Sequence, residues 1–206
     1  MELGALFFLI LLILYFLHNL FLTTYFKRKF KKNDYFIGEK APNEMQKFFG
    51  KSFYLIIVYY IIIMAYLFTG FNFWGLISNI SLIDSAAFKI IGFAAGIIFI
   101  ALMTMARLNL GSSWRVGLDP NTQDKLVTTG FYKFIRNPYF TFLLWFQFSL
   151  ILIVPNAIAI FAFIQGYLLI NLQVREEEEF LKEKYGENYI SYKNNVGRFF
   201  PKNILR

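Results

Sequence analysis

Five long apolar segments constrain what this chain can fold into. A helix needs about 20 apolar residues to cross a bilayer core of about 30 Å, and the first three segments reach that length. The last two are shorter and are separated only by Pro155 and Asn156, which predicts a tight helical hairpin that need not cross fully. Only 17% of the residues are charged, where a soluble domain carries about a quarter. We therefore expect an all-α, polytopic membrane protein with about five transmembrane helices and a cytoplasmic C-terminal helical tail, its spans at residues 3–26, 52–70, 88–106, 139–154 and 157–172.

The basic residues indicate how these segments are oriented. Of the 21 Lys and Arg residues, 8 lie in residues 27–51, 5 in residues 107–138 and 7 from residue 173 onward. These are alternate connections, and Lys89 is the one basic residue outside them. The positive-inside rule then predicts an outer N-terminus and a cytoplasmic C-terminus, and we expect the membrane to be the plasma membrane of a prokaryote. Topology and anionic membrane lipid account for the net charge of +8, so no nucleic-acid partner is expected.

The composition excludes several kinds of catalytic site. The chain has no Cys, and its single His, His18, lies inside the first apolar segment. A thiolate or imidazole metal site and a Ser-His-Asp triad therefore lack their residues, and no metal is expected. No Gly-x-Gly occurs, which excludes the Rossmann fingerprint. The Gly-Lys-Ser at residues 50–52 lacks the first glycine of a P-loop, because position 45 is Met45. We interpret His18 as a packed or interfacial imidazole.

Polar residues return after the third apolar segment, and residues 107–138 form the first candidate site. Asn137 is a good N-cap and Pro138 suits the first turn, so a fourth helix is predicted to begin there. The unpaired N–H groups of such a helix start attract a carboxylate or phosphate, and Arg136 would add a bidentate clamp. An arginine that merely sets topology explains the same residues equally well.

A second polar cluster follows the fifth apolar segment, where Arg175 precedes the four glutamates 176–179. By itself this run fits a solvated helix start, with Glu178 and Lys182 spaced as an i,i+4 pair. A helical stripe further on predicts that the tail packs back onto the protein or lies on the membrane surface, and it consists of Leu181, Tyr185, Tyr189 and Tyr192.

The two clusters are predicted to meet at one membrane face. A cationic site and an acidic site together would bind a zwitterionic ligand that carries a carboxylate, an ammonium and a further cation. Aromatic rings at Tyr132, Tyr139 and Trp145 are candidates for cation–π contacts with that ligand.

The order of the motifs resembles a known family. Residues 126–139 read Leu-Val-Thr-Thr-Gly-Phe-Tyr-Lys-Phe-Ile-Arg-Asn-Pro-Tyr, and a hydrophobic hairpin follows. Residues 175–192 read Arg-Glu-Glu-Glu-Glu-Phe-Leu-Lys-Glu-Lys-Tyr-Gly-Glu-Asn-Tyr-Ile-Ser-Tyr, before Arg-Phe-Phe-Pro at 198–201. This pattern resembles the isoprenylcysteine carboxyl methyltransferase and phospholipid methyltransferase superfamily over roughly residues 107–201. One structural domain is expected, with three N-terminal helices and a basic loop in 1–106 and the methyltransferase core in 107–206.

The resemblance implies an integral membrane enzyme that uses S-adenosyl-L-methionine. Its methyl acceptor would be lipid-embedded or lipophilic, such as an isoprenylcysteine carboxylate or a phospholipid head group. Arg175 and Glu178 would be catalytic, with Arg175 orienting an anionic acceptor and a glutamate serving as base where one is needed. Carried over by position, the cofactor-binding residues are Lys125, Leu126, Val127, Gly130, Tyr132, Arg136, Asn137, Pro138, Tyr139, Glu177 and Glu178.

One departure and two alternatives accompany this resemblance. The superfamily commonly has His where this chain has Asn137, so no imidazole base is available at that position. Related sterol reductases share a similar C-terminal architecture but use NADPH. A membrane scaffold without enzymatic activity is the other alternative.

Overall fold

Helices account for the architecture that the sequence predicts. The computed structural model describes residues 2–31, 44–71, 75, 77–114 and 125–202, apart from the side chain of Gln46. Lys32, Lys40, Arg115 and Arg206 of the basic connections lie outside these residues. Within them the α-helices are α1 Leu3–Phe30, α2 Glu44–Thr69, α3 Ala86–Leu110, α4 Pro138–Ile153, α5 Ala157–Tyr185 and α6 Glu187–Asn195.

The lengths of the helices confirm an all-α polytopic membrane fold. Four helices, α1, α2, α3 and α5, are long and apolar enough to cross a membrane. The predicted short fourth segment is α4, which has 16 residues and a length of about 24 Å. It is therefore shorter than a typical bilayer core, as expected for one arm of a hairpin.

Helix α5 extends well beyond the predicted end of its apolar segment at residue 172. It begins at Asn156, a buried N-cap whose side chain accepts a hydrogen bond from the Ala159 N–H at 2.9 Å. It ends only at Gly186, which has a φ of +53° that favours glycine. The four glutamates thus continue the same helix that forms the second arm of the hairpin.

Small residues on α3 let α4 approach closely. Among the described residues, these two helices share the most extensive helix–helix contact. A Cβ on Gly92 would lie 2.7 Å from the carbonyl oxygen of Ser149, and one on Gly96 would collide with Leu11 of α1. Gly92 and Gly96 are four residues apart on one face of α3, and such pairs of small residues allow close helix packing. Around this contact lies the main core, which includes Phe8, Leu11, Met103, Phe146, Leu150 and Ile153.

Polar contacts hold the end of the bundle that is remote from the glutamates. Lys89, the exception to the charge pattern, pairs with Asp84 at 2.6 Å, so its charge is balanced locally. The Ile80 N–H donates to the carbonyl of Pro155 at 2.7 Å and ties this loop to the hairpin turn. His18 is buried, as expected, with Nδ1 2.9 Å from the Thr104 hydroxyl.

Replacing Gly92 by valine should weaken the contact between α3 and α4. The new side chain meets a backbone carbonyl that cannot rotate away, so we expect the free energy of unfolding to fall by about 1–3 kcal/mol. Thermal unfolding of the detergent-solubilised protein measures the change. Ala94→Val, on the exposed side of the same helix, is the control. Equal transitions for both variants would contradict the proposed close packing.

Candidate active site

A cavity lies where the polar end of α5 meets the start of α4 and the end of α3. Its volume is about 130 Å³, and it opens to the outside at its mouth. We call it the site cavity. Its walls are Leu110, Ser113, Trp114, Lys125, Leu126, Val127, Tyr132, Arg136, Asn137, Tyr139, Phe140, Glu177, Phe180, Leu181, Tyr189 and Tyr192.

The segment before α4 is held on α3 by one asparagine. The Phe131 N–H donates to Asn109 Oδ1 at 3.1 Å. Gly130 has a φ of +60°, and a Cβ there would collide with the Asn109 side chain. Glycine is thus required both for the backbone conformation and for the close approach. Gly130 does not line the cavity, but it fixes the turn that carries Tyr132 into the wall.

The tail packs back onto the site, which confirms one of the two placements predicted for it. The backbone N–H groups of Arg136 and Asn137 donate to the carbonyls of Gly197 and Arg198 at 2.8 and 3.1 Å. The Tyr192 hydroxyl donates to the carbonyl of Tyr132 at 2.6 Å. Helix α6 therefore forms one wall of the cavity, and the segment after it closes against the residues that precede α4.

Glu178 lies at the centre of a group of four charges that we call the charge cluster. Its Oε1 accepts from Arg136 Nη2 at 2.9 Å and Nε at 3.1 Å, and Oε2 accepts from Arg198 Nη2 at 2.7 Å. Lys193 Nζ lies 3.7 Å from Oε2. The Glu178 side chain is only 2% exposed and that of Arg136 8%. Three cations surround one carboxylate, so the cluster keeps a net charge of +2.

The charge cluster changes what Arg136 can offer a ligand. Its Nη1 donates to the carbonyls of Lys193 and Val196, while Nε and Nη2 donate to Glu178. Four of its five N–H groups are thus committed to the protein. These bonds leave one N–H group of Arg136 for a ligand, so the bidentate clamp stays a prediction, while Arg136 lines the cavity with its charge.

Asn137 occupies the predicted N-cap position, but its side chain does not cap α4. Instead Nδ2 points toward Glu178 Oε1 at 3.5 Å and the Arg198 carbonyl at 3.4 Å. These are long hydrogen bonds to groups that already have stronger donors or partners. The residue that replaces the superfamily's His therefore joins the edge of the charge cluster.

The other predicted site residues divide into those at the cavity and those away from it. Glu177 lines the cavity and accepts a hydrogen bond from Gln173 Nε2 at 2.8 Å, whereas Glu178 lies behind it. Arg175 is exposed and is not among the lining residues. Trp145 packs on Phe99 and Phe148 away from the site. The cavity brings together Lys125, Leu126, Val127, Tyr132, Arg136, Asn137, Tyr139 and Glu177, but not Gly130, Pro138, Arg175 or Glu178.

Trp114 is a wall residue that the sequence does not single out. It is 8% exposed, and its buried indole Nε1–H has no hydrogen-bond partner in the part of the chain that the structure describes. The ring packs edge-to-face on Tyr139, with centroids 4.6 Å apart, and the Arg107 guanidinium lies 4.6 Å from its centre. The only signal for it is its place directly after α3, where polar residues return.

The tyrosines of the cavity keep their protons. Burial and the nearby Glu177 charge hold the pKa of Tyr132 well above its usual value. Burial also raises the pKa of Tyr189 and of Tyr192. All three phenols remain neutral at physiological pH, so they offer hydroxyl groups and rings to a ligand but do not act as bases. Over the described residues, no group of three His, Cys, Asp or Glu could hold a metal ion.

Comparison with known proteins shows what the middle of the chain is similar to. Residues 90–183 match the model of the isoprenylcysteine carboxyl methyltransferase (ICMT) family. The resemblance predicted from the sequence is confirmed over these residues. The match begins inside α3, so α3 as well as the two motifs carries the family pattern.

Two relatives extend this result. The chain is 35% identical over 78 residues to protein-S-isoprenylcysteine O-methyltransferase of Saccharomyces cerevisiae, covering 37% of this chain and 32% of the yeast protein. It also superposes on a solved structure of the eukaryotic intramembrane Ras methyltransferase ICMT with a TM-score of 0.54 and 20% identity. That superposition covers 79% of this chain and 55% of the ICMT chain, and it shows a shared fold. The chain thus spans about a third of the yeast relative and about half of the solved one.

Two adjacent glutamates should differ sharply in their effect on stability. Glu178→Ala leaves Arg136 buried without its carboxylate, and we expect a loss of about 3–5 kcal/mol in the free energy of unfolding. Glu179→Ala removes only an exposed pair with Lys182 at 3.7 Å, which is worth about 0–1 kcal/mol. Thermal unfolding in detergent compares the two variants. A Glu178 variant as stable as the Glu179 variant would contradict the structural role of the charge cluster.

Proposed function

We propose that this chain is an integral membrane methyltransferase that uses S-adenosyl-L-methionine. The observation that carries the proposal is the site cavity itself, whose walls combine the two superfamily motifs with aromatic rings and a carboxylate. The family match supports the reaction class. The orientation with the site in the cytoplasm rests on the positive-inside rule and belongs to the same proposal.

The residues of the cavity fit this cofactor by their chemistry. Trp114 offers a buried indole N–H that has no partner among the described residues, and Tyr132 and Tyr139 offer rings beside a nucleoside or a sulfonium. Glu177 would accept from an ammonium or a ribose hydroxyl. The net positive charge cluster, through Arg136, would attract the methionine carboxylate without a bidentate clamp.

When bound, the cofactor supplies an activated methyl group and a neutral leaving group. The protein then has to hold the acceptor in line with that methyl group, which can contribute roughly 7–11 kcal/mol through proximity and orientation. The apolar wall formed by Leu126, Phe140 and Phe180 would keep water out of the site. No covalent intermediate on the enzyme is required.

The acceptor that fits best is a carboxylate on a lipophilic molecule. An amine or thiol must lose a proton, but the cavity tyrosines are neutral and Asn137 cannot accept one. Taking up a proton would cost Glu178 its charge-assisted bonds to two guanidinium groups, so it is a poor base. Glu177 is the carboxylate at the described cavity wall that an amine or thiol acceptor would depend on. A carboxylate needs no base and is attracted by the positive cluster. An isoprenylcysteine carboxylate is such an acceptor, and the name of the yeast relative, protein-S-isoprenylcysteine O-methyltransferase, supports this choice.

Cofactor binding tests the proposal directly. S-adenosylhomocysteine should stabilise the detergent-solubilised protein by mass action, by about 2.7 kcal/mol at a hundred times its dissociation constant. NADPH at the same excess should leave the unfolding temperature unchanged. Stabilisation by NADPH alone would favour the reductase alternative, and no stabilisation by either would favour a scaffold.

The chemical class of the acceptor can be read from the stability of the product. Membranes containing the protein are incubated with cofactor labelled in its methyl group and with a farnesylated cysteine peptide. A carboxyl methyl ester releases volatile labelled methanol in mild alkali, and we expect most of the label in that fraction. The same peptide with an amidated carboxyl group is the control. Label that stays with phospholipid after alkali would instead support a head-group amine as acceptor.

A further inference from the structure

Arg198 is a cation outside the site cavity that contributes to the charge at the cavity wall. Its side chain comes from the segment after α6 and does not line the cavity. Its Nε and Nη2 donate to the two oxygens of Glu178 at 3.2 and 2.7 Å. Arg136 lies at the same carboxylate and does line the cavity.

The balance of charge depends on this second guanidinium. With Arg136 alone, Glu178 would form a neutral pair, and the cavity wall would carry little net potential. Arg198 and Lys193 bring the cluster to +2 around one buried carboxylate. Glu178 is 2% and Arg136 8% exposed, so water screens the charges nearest the cavity weakly, whereas Arg198 and Lys193 are 31% and 35% exposed and are screened more.

We infer that Arg198 is a positioning residue that keeps the Arg136 wall of the site cavity positive for the carboxylate of a bound ligand. This inference rests on the proposed function and deepens it. Arg198 acts through the charge of Glu178 and touches neither cofactor nor acceptor. Hydrogen bonding to Glu178 also raises the pKa of Arg198, so the charge is present throughout the physiological range.

An electrostatic role and a purely structural one make opposite predictions for a double variant. Arg198→Met lowers the net charge of the cluster from +2 to +1, whereas the double variant Glu178→Gln with Arg198→Met restores +2 with Arg136 and Lys193. If Arg198 only holds the tail in place, removing its partner as well cannot restore the site. If it acts through charge, the double variant regains affinity.

The experiment measures the affinity for S-adenosylhomocysteine by calorimetry in detergent. We expect Arg198→Met to weaken binding at least tenfold, and Arg198→Lys and the double variant to stay within about threefold of the unmodified protein. Lys182→Met removes one exposed positive charge from the same tail and serves as the control, with unchanged affinity. Thermal unfolding without ligand reports whether each variant is folded.

The outcomes separate this inference from the proposal on which it rests. If the unmodified protein does not bind S-adenosylhomocysteine, the proposed function fails. If it binds and Arg198→Met binds equally well, only the inference is overturned. A Lys variant or a double variant as weak as Arg198→Met also overturns it, because charge would then not be the property that matters. Should Arg198→Met or the double variant fail to fold, Arg198→Lys and Arg198→Gln decide the question. Weaker binding by the glutamine variant than by the lysine variant supports the inference, and equal binding by the two overturns it.

Discussion

The ion pairs of the buried Glu178 carboxylate hold together the end of the molecule that contains the site cavity. Three parts of the chain that are distant in sequence meet there: Arg136 before α4, Glu178 on α5, and Lys193 and Arg198 in the tail. Burying these charges is costly unless each is paired, and their geometry pairs them with several hydrogen bonds. Removing this one carboxylate would leave the buried Arg136 without an opposite charge beside it. The wall of the site cavity and the closure of the tail therefore share a single electrostatic contact.

Two neighbouring glutamates make different contacts at this end of α5. Glu177 and Glu178 are adjacent on α5, and a helix turns about 100° between adjacent residues. One therefore faces the site cavity while the other faces Arg136 and Arg198. A run of four glutamates looks uniform in the sequence, yet its members have different surroundings: Glu179 is largely exposed and pairs with Lys182. The site cavity and the charge cluster thus lie against different faces of one short stretch of α5.

The sequence predicts the membrane helices well because hydrophobic length decides them. Their predicted starts agree within two residues for α1, α3, α4 and α5, and α2 begins earlier than expected. Helix α5 continues past the predicted span, which ends at residue 172. Loss of apolar residues marks the end of the span, whereas Gly186 marks the end of the helix. The role of Arg136 was also out of reach. Arg198, which binds the same Glu178 carboxylate, is 62 positions away in the sequence, and only the return of the tail brings the two arginines together. Trp114 lacked any periodic or motif signal at all.

The loop between α2 and α3 has a consequence for the far end of the hairpin. The turn at Pro155 and Asn156 joins two apolar helices, and a polar backbone group among apolar surroundings needs a partner within the protein. The Ile80 amide takes the place of water for the Pro155 carbonyl, and Asn156 is completely shielded from solvent. A residue from another part of the chain therefore supplies the hydrogen bond that this reversal of the chain would otherwise take from water.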